Sequence, residues 1–141
     1  MPNLKIYTDG GARGNPGPAA CGVVIKNKKE EIILEASKYI GNATNNQAEY
    51  EALILALEEA RNIFMKENYS KKHIECYLDS ELVVKQLNRE YKIKNEGLKP
   101  LFAQARDLIS NFDSVKFIHI PREKNKLADR LVNRELDARE K

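Results

Sequence analysis

The period of the apolar residues switches at Thr44 from about two to about 3.6, and that switch limits the architectures open to this chain. Before it, Leu4, Ile6 and Thr8 alternate with Lys5, Tyr7 and Asp9, which predicts a strand ending at Asp9. Gly10-Gly11-Ala12-Arg13-Gly14-Asn15-Pro16-Gly17-Pro18 is dense in turn formers and predicts an irregular connection that no strand continues through. Cys21 to Ile25 predicts a second strand, Asn27-Lys28-Lys29 a polar turn, and Ile32 to Ile40 a third strand. Connections this short make the three an antiparallel meander. Beyond the switch, Ala48, Ala52, Leu53, Ala56, Leu57, Ala60 and Ile63-Phe64 recur at helical spacing. A helix is therefore expected to about Lys66, with Thr44 or Asn45 as its N-cap.

After the basic pair Lys71-Lys72, His73 to Asp79 predicts a fourth strand. Ser80 caps a short helix through Leu87, Gly97 interrupts the chain, and Leu98 to Ile109 predicts another helix. Val115 to Ile120 is the fifth strand, closed by Pro121, and Asn125 is expected to cap a last helix carrying Leu127, Leu131, Val132 and Leu136. The order βββαβααβα implies an α/β fold: a five-stranded mixed sheet, the antiparallel three-strand meander plus two parallel strands, flanked by helices. No repeat, low-complexity tract or linker divides residues 1–141, so one domain is expected.

Two of the strand ends mirror each other. Tyr7-Thr8-Asp9 and Tyr77-Leu78-Asp79 each place a Tyr and an Asp on one face. As parallel neighbours, about 4.8 Å apart, they would set two carboxylates side by side at the carboxyl end of the sheet, where open α/β sheets bind ligands. Like charges so close need a cation or a shared proton. Glu49, in the first turn of the long helix, shares the face of Ala52, Leu53 and Ala56 and points toward the sheet. Asp129 lies early in the last helix beside Leu127, Ala128 and Leu131. Taken singly, either acid is explained by the preference of helix N-termini for negative charge. Four acids from four elements at one sheet edge, with no His or Cys ligand nearby, make an oxygen-rich site suited to Mg²⁺ or Mn²⁺ rather than zinc. Two such ions about 3.5–4 Å apart can clamp both oxygens of a phosphodiester displacement. The residues alone thus point to metal-dependent phosphotransfer or phosphodiester hydrolysis.

Bulk charge adds little about the partner. The net charge is +3, from 24 Lys+Arg against 21 Asp+Glu, too small an excess to argue for nucleic acid. Hydrophobic residues make up 42% and charged residues 32%, which fits a globular protein rather than a disordered one. No run approaches the roughly 18 apolar residues of a membrane span and no signal-peptide pattern is present. A cytoplasmic protein without membrane association is expected. Cys21 and Cys76 fall in apolar strand stretches without metal-site spacing and are expected to be buried free thiols.

Thr8-Asp9-Gly10-Gly11-Ala12-Arg13-Gly14-Asn15-Pro16-Gly17-Pro18 resembles the first signature of type 1 ribonuclease H. Thr44-Asn45-Asn46-Gln47-Ala48-Glu49 resembles the second, Asp79-Ser80 the third and Asn125-Lys126-Leu127-Ala128-Asp129 the fourth, in family order across almost the whole chain. The resemblance implies a ribonuclease H-like fold and an endonuclease that hydrolyses the RNA strand of RNA–DNA hybrids, leaving 5′-phosphate and 3′-hydroxyl ends. It implies Asp9, Glu49, Asp79 and Asp129 as metal-holding catalytic carboxylates. Asp9 would bridge two Mg²⁺ ions, Asp129 would complete the nucleophile side, and Glu49 and Asp79 the leaving-group side; Mn²⁺ is expected to substitute. Asn15, Asn45 and Asn46 match positions that touch the hybrid, Thr44 one that grips a DNA-strand phosphate, and Gly10 and Gly11 let backbone approach the minor groove. The 2′-hydroxyl is the group that distinguishes RNA from DNA. Turn formation or capping is the ordinary alternative for the asparagines, most of all for Asn15 beside Pro16-Gly17. No obligatory protein partner is implied and a monomer is expected.

The chain departs from the family pattern in three places. Relatives carry a histidine before the last helix that assists turnover. Ungapped counting back from Asp129 lands on His119, inside the predicted strand, whereas a shortened loop leaves Arg122 nearest the site, and Arg122 is the preferred reading. Its fixed charge can stabilise a phosphate but cannot shuttle a proton near neutral pH. Between Leu87 and Pro100 there is no basic handle, only a short segment with Lys92, Lys94 and Lys99, which makes this a compact form with a shallow expected salt dependence. Glu81 stands where relatives often have a glutamine, so that minor-groove contact is not expected. Three competing readings remain at this stage: a same-fold DNA nuclease or transposase core, a hybrid-binding module without catalysis, and a piece of a reverse transcriptase. The first lacks the Gly-rich and Thr-Asn-Asn motifs, the second is opposed by the complete acid set, and the start at Met1 just before the first strand opposes the third.

Overall fold

A computed structural model of the chain describes residues 2–140. Strands β1 (Leu4–Ala12), β2 (Gly17–Lys26) and β3 (Ile32–Ala43) are followed by helix α1 (Asn45–Lys66), strand β4 (His73–Leu78), helices α2 (Glu81–Leu87) and α3 (Lys99–Ile109), strand β5 (Ser114–His119) and helix α4 (Lys126–Arg139). The strands form one sheet in the order β3-β2-β1-β4-β5. β1, β2 and β3 pair antiparallel, and β4 lies parallel to both β1 and β5. The mixed sheet and the order βββαβααβα are those the hydrophobic period predicts.

α1 packs on one face of the sheet through Ala48, Ala52, Ala56 and Ala60, all fully buried. Alanines four apart form a smooth ridge, which brings the helix axis close to Leu4, Ile6, Val23, Ile25, Ile74, Cys76 and Leu78 below it. α4 covers β2 on the other face with Val132 and Leu136, which meet Ala20 and Tyr39. Cys21 and Cys76 are buried free thiols, and burial pushes each up to about 12. Among the described residues no helix is long and apolar enough to cross a membrane.

The expected loop at residues 10–18 is corrected. β1 continues through Gly10, Gly11 and Ala12, paired with Cys21, Ala20 and Ala19, and β2 begins at Gly17, four residues earlier than expected. The true turn is the segment from Arg13 to Pro16, closed by the Arg13 N–H donating to the Pro18 carbonyl (2.8 Å) and turned by Gly14 at φ +98°. Turn-forming composition misleads here because Gly10 is required by α1: a Cβ at Gly10 would stand 2.1 Å from the Ala48 carbonyl oxygen. β3 runs on with its partner to Ala43, opposite Gly17.

Candidate metal and nucleic-acid site

The register of β1 and β4 pairs Tyr7 with Tyr77 and Thr8 with Leu78, and the two tyrosine rings stack at 4.8 Å between centroids. Asp9 and Asp79 are the next residues of their strands, one step beyond this parallel ladder, so they emerge together at its carboxyl end. Glu49 reaches the same place from the first turn of α1. That turn is set by a capping box: the Gln47 N–H donates to Thr44 Oγ1 (3.1 Å) and the Thr44 N–H donates to Gln47 Oε1 (2.9 Å). Glu49 Oε1 accepts from the Gly10 N–H at 2.7 Å, while its Oε2 is buried without a partner. One carboxylate oxygen from each of Asp9, Glu49 and Asp79 lies within 4.8 Å of the other two. Asp129, in the first turn of α4, lines the same cleft outside that group of three.

Crowding leaves an electrostatic signature. Asp9, 8% exposed, is pushed up to about 7, first by burial and then by the charge of Asp79. Glu49, 5% exposed, is held well above the ordinary carboxylate range, by burial first and by Asp9 next. Protons or a cation must relieve this set. The ligand atoms are all oxygens, one of them unpartnered, and the combination fits a hard divalent cation.

The acids sit in a cleft of about 370 Å³ that also includes Arg13, Asn45, Asn46, Arg122 and Asn133 in its walls. Arg122 belongs to a short 3₁₀ turn (Arg122–Lys124) at its rim. His119 is instead exposed on β5, in register with Leu78. Glu81 is exposed and paired with Lys85 (3.4 Å). A larger groove of about 460 Å³ lies between α2 and α3, walled by Arg89, Tyr91, Lys92, Lys99, Phe102 and Arg106, and contains no carboxylate.

Asn15 and Asn45 fasten the two signature segments to each other. The Asn45 N–H donates to Asn15 Oδ1, and the Ala12 N–H donates to Asn45 Oδ1, both at 2.9 Å. A backbone N–H can only donate, so both side-chain oxygens are unambiguously turned inward.

Asn125 stands at the N-cap of α4, as its place in the sequence predicts, but its side chain is engaged elsewhere. It occupies the cap position without a capping hydrogen bond and is 1% exposed. Its Nδ2 donates to the Thr8 carbonyl (2.8 Å) and to Asp79 Oδ2 (3.1 Å). It thereby ties β1, the end of β4 and the start of α4 together beneath the acids. Gly22 was also missed: a Cβ there would meet the Ala128 carbonyl oxygen at 2.4 Å, so α4 is seated on β2 much as α1 is seated on Gly10. A lone glycine in an apolar strand is the available signal for such close approach.

Comparison with known proteins agrees with this architecture. The family model described as reverse transcriptase-like matches residues 7–135. The chain is 44% identical over 134 residues to "Ribonuclease HI" of Halobacterium salinarum, across 95% of this chain and 64% of that protein. It is 41% identical over 136 residues to "Bifunctional protein Rv2228c" of Mycobacterium tuberculosis, across 96% of this chain and 36% of that protein. The chain thus spans about two thirds of the first relative's length and about a third of the second's. The solved structure of LC11-RNase H1 in complex with RNA/DNA hybrid is 47% identical and superposes with a TM-score of 0.91 over 98% of this chain and 99% of that one. With the sheet order, the acid constellation and these matches in agreement, the chain belongs to the type 1 ribonuclease H family.

Proposed function

We propose that this chain is an endoribonuclease that hydrolyses the RNA strand of RNA–DNA hybrids with divalent cations held by Asp9, Glu49, Asp79 and Asp129. The observation that carries the reading is the convergence of Asp9, Glu49 and Asp79 within 4.8 Å, with one buried Glu49 oxygen left unpartnered. Two Mg²⁺ ions, for which Mn²⁺ substitutes, supply activation of water and neutralisation of charge at the scissile phosphate. The protein's own contribution is placement. Asp9 is the acid on which Asp79, Glu49 and Asp129 all act, so it would be the ligand shared between cations held by the other three. The products are a 5′-phosphate and a 3′-hydroxyl.

Hybrid recognition follows from the groups left free. The Asn15 and Asn45 amide nitrogens, together with Asn46 at the cleft wall, face a duplex as hydrogen-bond donors, matched to 2′-hydroxyl and minor-groove acceptor oxygens. Thr44 Oγ1 accepts from Gln47 within its cap, so its O–H remains to donate to a phosphate. Gly10 and Gly11, without side chains, let the duplex backbone come close. Arg122 adds a fixed positive charge at the rim. Such an activity serves removal of RNA from hybrids during replication, repair or R-loop resolution.

The test is cleavage of an end-labelled hybrid beside DNA and RNA duplexes, with Mg²⁺, Mn²⁺ or EDTA. Cutting confined to the RNA of the hybrid and abolished by EDTA is expected, with Asp9→Asn binding the hybrid uncut. Equal cutting of DNA duplex, or cutting in EDTA, refutes the reading.

A further inference from the structure

The geometry points to Asn133 as a positioning residue for Asp129, anchored in turn by Arg13; this inference rests on the proposed nuclease reading. Arg13, at the start of the turn after β1, reaches across to α4. Its guanidinium meets Asp137 Oδ1 and Glu140 Oε1, both at 2.7 Å. It also donates to Asn133 Oδ1 at 3.3 Å. The other end of the same amide, Asn133 Nδ2, donates to the Asp129 carbonyl (3.1 Å) and to Asp129 Oδ2 (3.3 Å). The amide orientation is set from both ends, because a guanidinium only donates and a carboxylate only accepts. A neutral group with an acceptor at one end and a donor at the other is what can stand between them. A carboxylate at 133 would repel Asp129, and an ammonium would repel Arg13.

The arrangement explains two facts that the acid cluster alone leaves open. Asp129 lies outside the mutual contact of Asp9, Glu49 and Asp79, and half-buried at the cleft edge it has solvent room to rotate. Asn133, one helical turn along, limits that rotation. Arg13 belongs to the segment that carries Gly10, Gly11 and Asn15, so the relay joins the predicted hybrid-binding loop to the fourth carboxylate. Placement of a metal ligand by an outer hydrogen-bond partner commonly affects affinity or activity about 10-fold or more.

The test compares wild type with Asn133→Ala, Arg13→Ala and the double variant. Mg²⁺ binding is measured by calorimetry on the full chain without substrate, beside thermal unfolding and kcat and KM on the hybrid. Asn133→Ala is expected to weaken Mg²⁺ binding about 10-fold and to lower kcat with little change in KM. Its Tm is expected to hold or rise, since alanine is the better helix former. A merely structural surface residue would not give metal affinity and Tm moving in opposite directions. Arg13→Ala is expected to weaken Mg²⁺ binding less, and the double variant to resemble Asn133→Ala alone. Unchanged Mg²⁺ affinity in Asn133→Ala, or fully additive effects, overturns the relay. A wild type that binds Mg²⁺ but leaves the hybrid uncut overturns the nuclease reading instead, because the coupling is read without substrate.

Discussion

The Ala48 carbonyl fills the space that a side chain on Gly10 would need, with 2.1 Å between its oxygen and an added Cβ. Backbone thus meets backbone where Glu49, the next residue of α1, takes the Gly10 N–H. No flexible side chain is available to yield. Gly10→Ala is therefore expected to destabilise the fold by about 3 kcal/mol or more and to displace Glu49. Denaturant unfolding gives the first effect and Mg²⁺ calorimetry the second; a stable variant with normal Mg²⁺ affinity contradicts this account.

Asn125 supports the acids from below. Asn125→Ala removes a buried donor from both the Thr8 carbonyl and Asp79, at an expected cost of about 1–3 kcal/mol. Asn125→Asp is nearly isosteric but turns a donor into an acceptor against two acceptors, so it should be the more damaging of the two. The order of the two midpoints in urea decides the point, and an Asp variant as stable as wild type would refute it.

Asp9 links stability to pH. Its ordinary value is 3.8 and in the folded chain it stands at about 7, so the native state holds the proton more tightly than the unfolded chain does. Its contribution is fully present below about pH 4 and is lost as pH rises through about 7; Glu49 acts in the same direction. In EDTA, Asp9→Asn should match wild type near about pH 4 and exceed it increasingly toward about pH 8, by on the order of 5 °C in Tm. Added Mg²⁺ should restore the wild type most at the alkaline end, because the cation competes with protons for the same oxygens. A Tm difference that does not vary with pH rules this out.

Arg122 is exposed at the cleft rim. Arg122→Ala is expected to lower kcat by at most about 10-fold, well short of what a buried oxyanion donor contributes, and His119→Ala to leave the rate unchanged. Steady-state kinetics on one hybrid tests both. Unchanged kcat and KM in Arg122→Ala would remove its assigned part in turnover.

The carboxylate pair was legible in the sequence because Tyr7-Thr8-Asp9 and Tyr77-Leu78-Asp79 encode position and face locally, and the register bears this out. The helix at Thr44 was legible for the same kind of reason, since a cap and a four-residue alanine repeat lie within one segment. What escaped notice depends on distant partners. The strand runs through Gly10 and Gly11 because a helix packs against it, which no turn propensity reports. Asn125 sends its side chain to a carbonyl 117 residues earlier, and nothing nearby in the chain distinguishes that from capping. Arg13 and Asn133 are 120 residues apart and belong to no shared pattern.

The mutual fastening of Asn15 and Asn45 has a consequence for discrimination. Two segments 30 residues apart are held together by these hydrogen bonds, so under the proposed nuclease reading a docking duplex would have little loop to order and little ordering entropy would oppose its association. The same stiffness works against the wrong guest. On that reading, a duplex whose groove is too narrow or too wide would meet a ruler rather than a glove, and would be turned away by misfit before any chemistry begins.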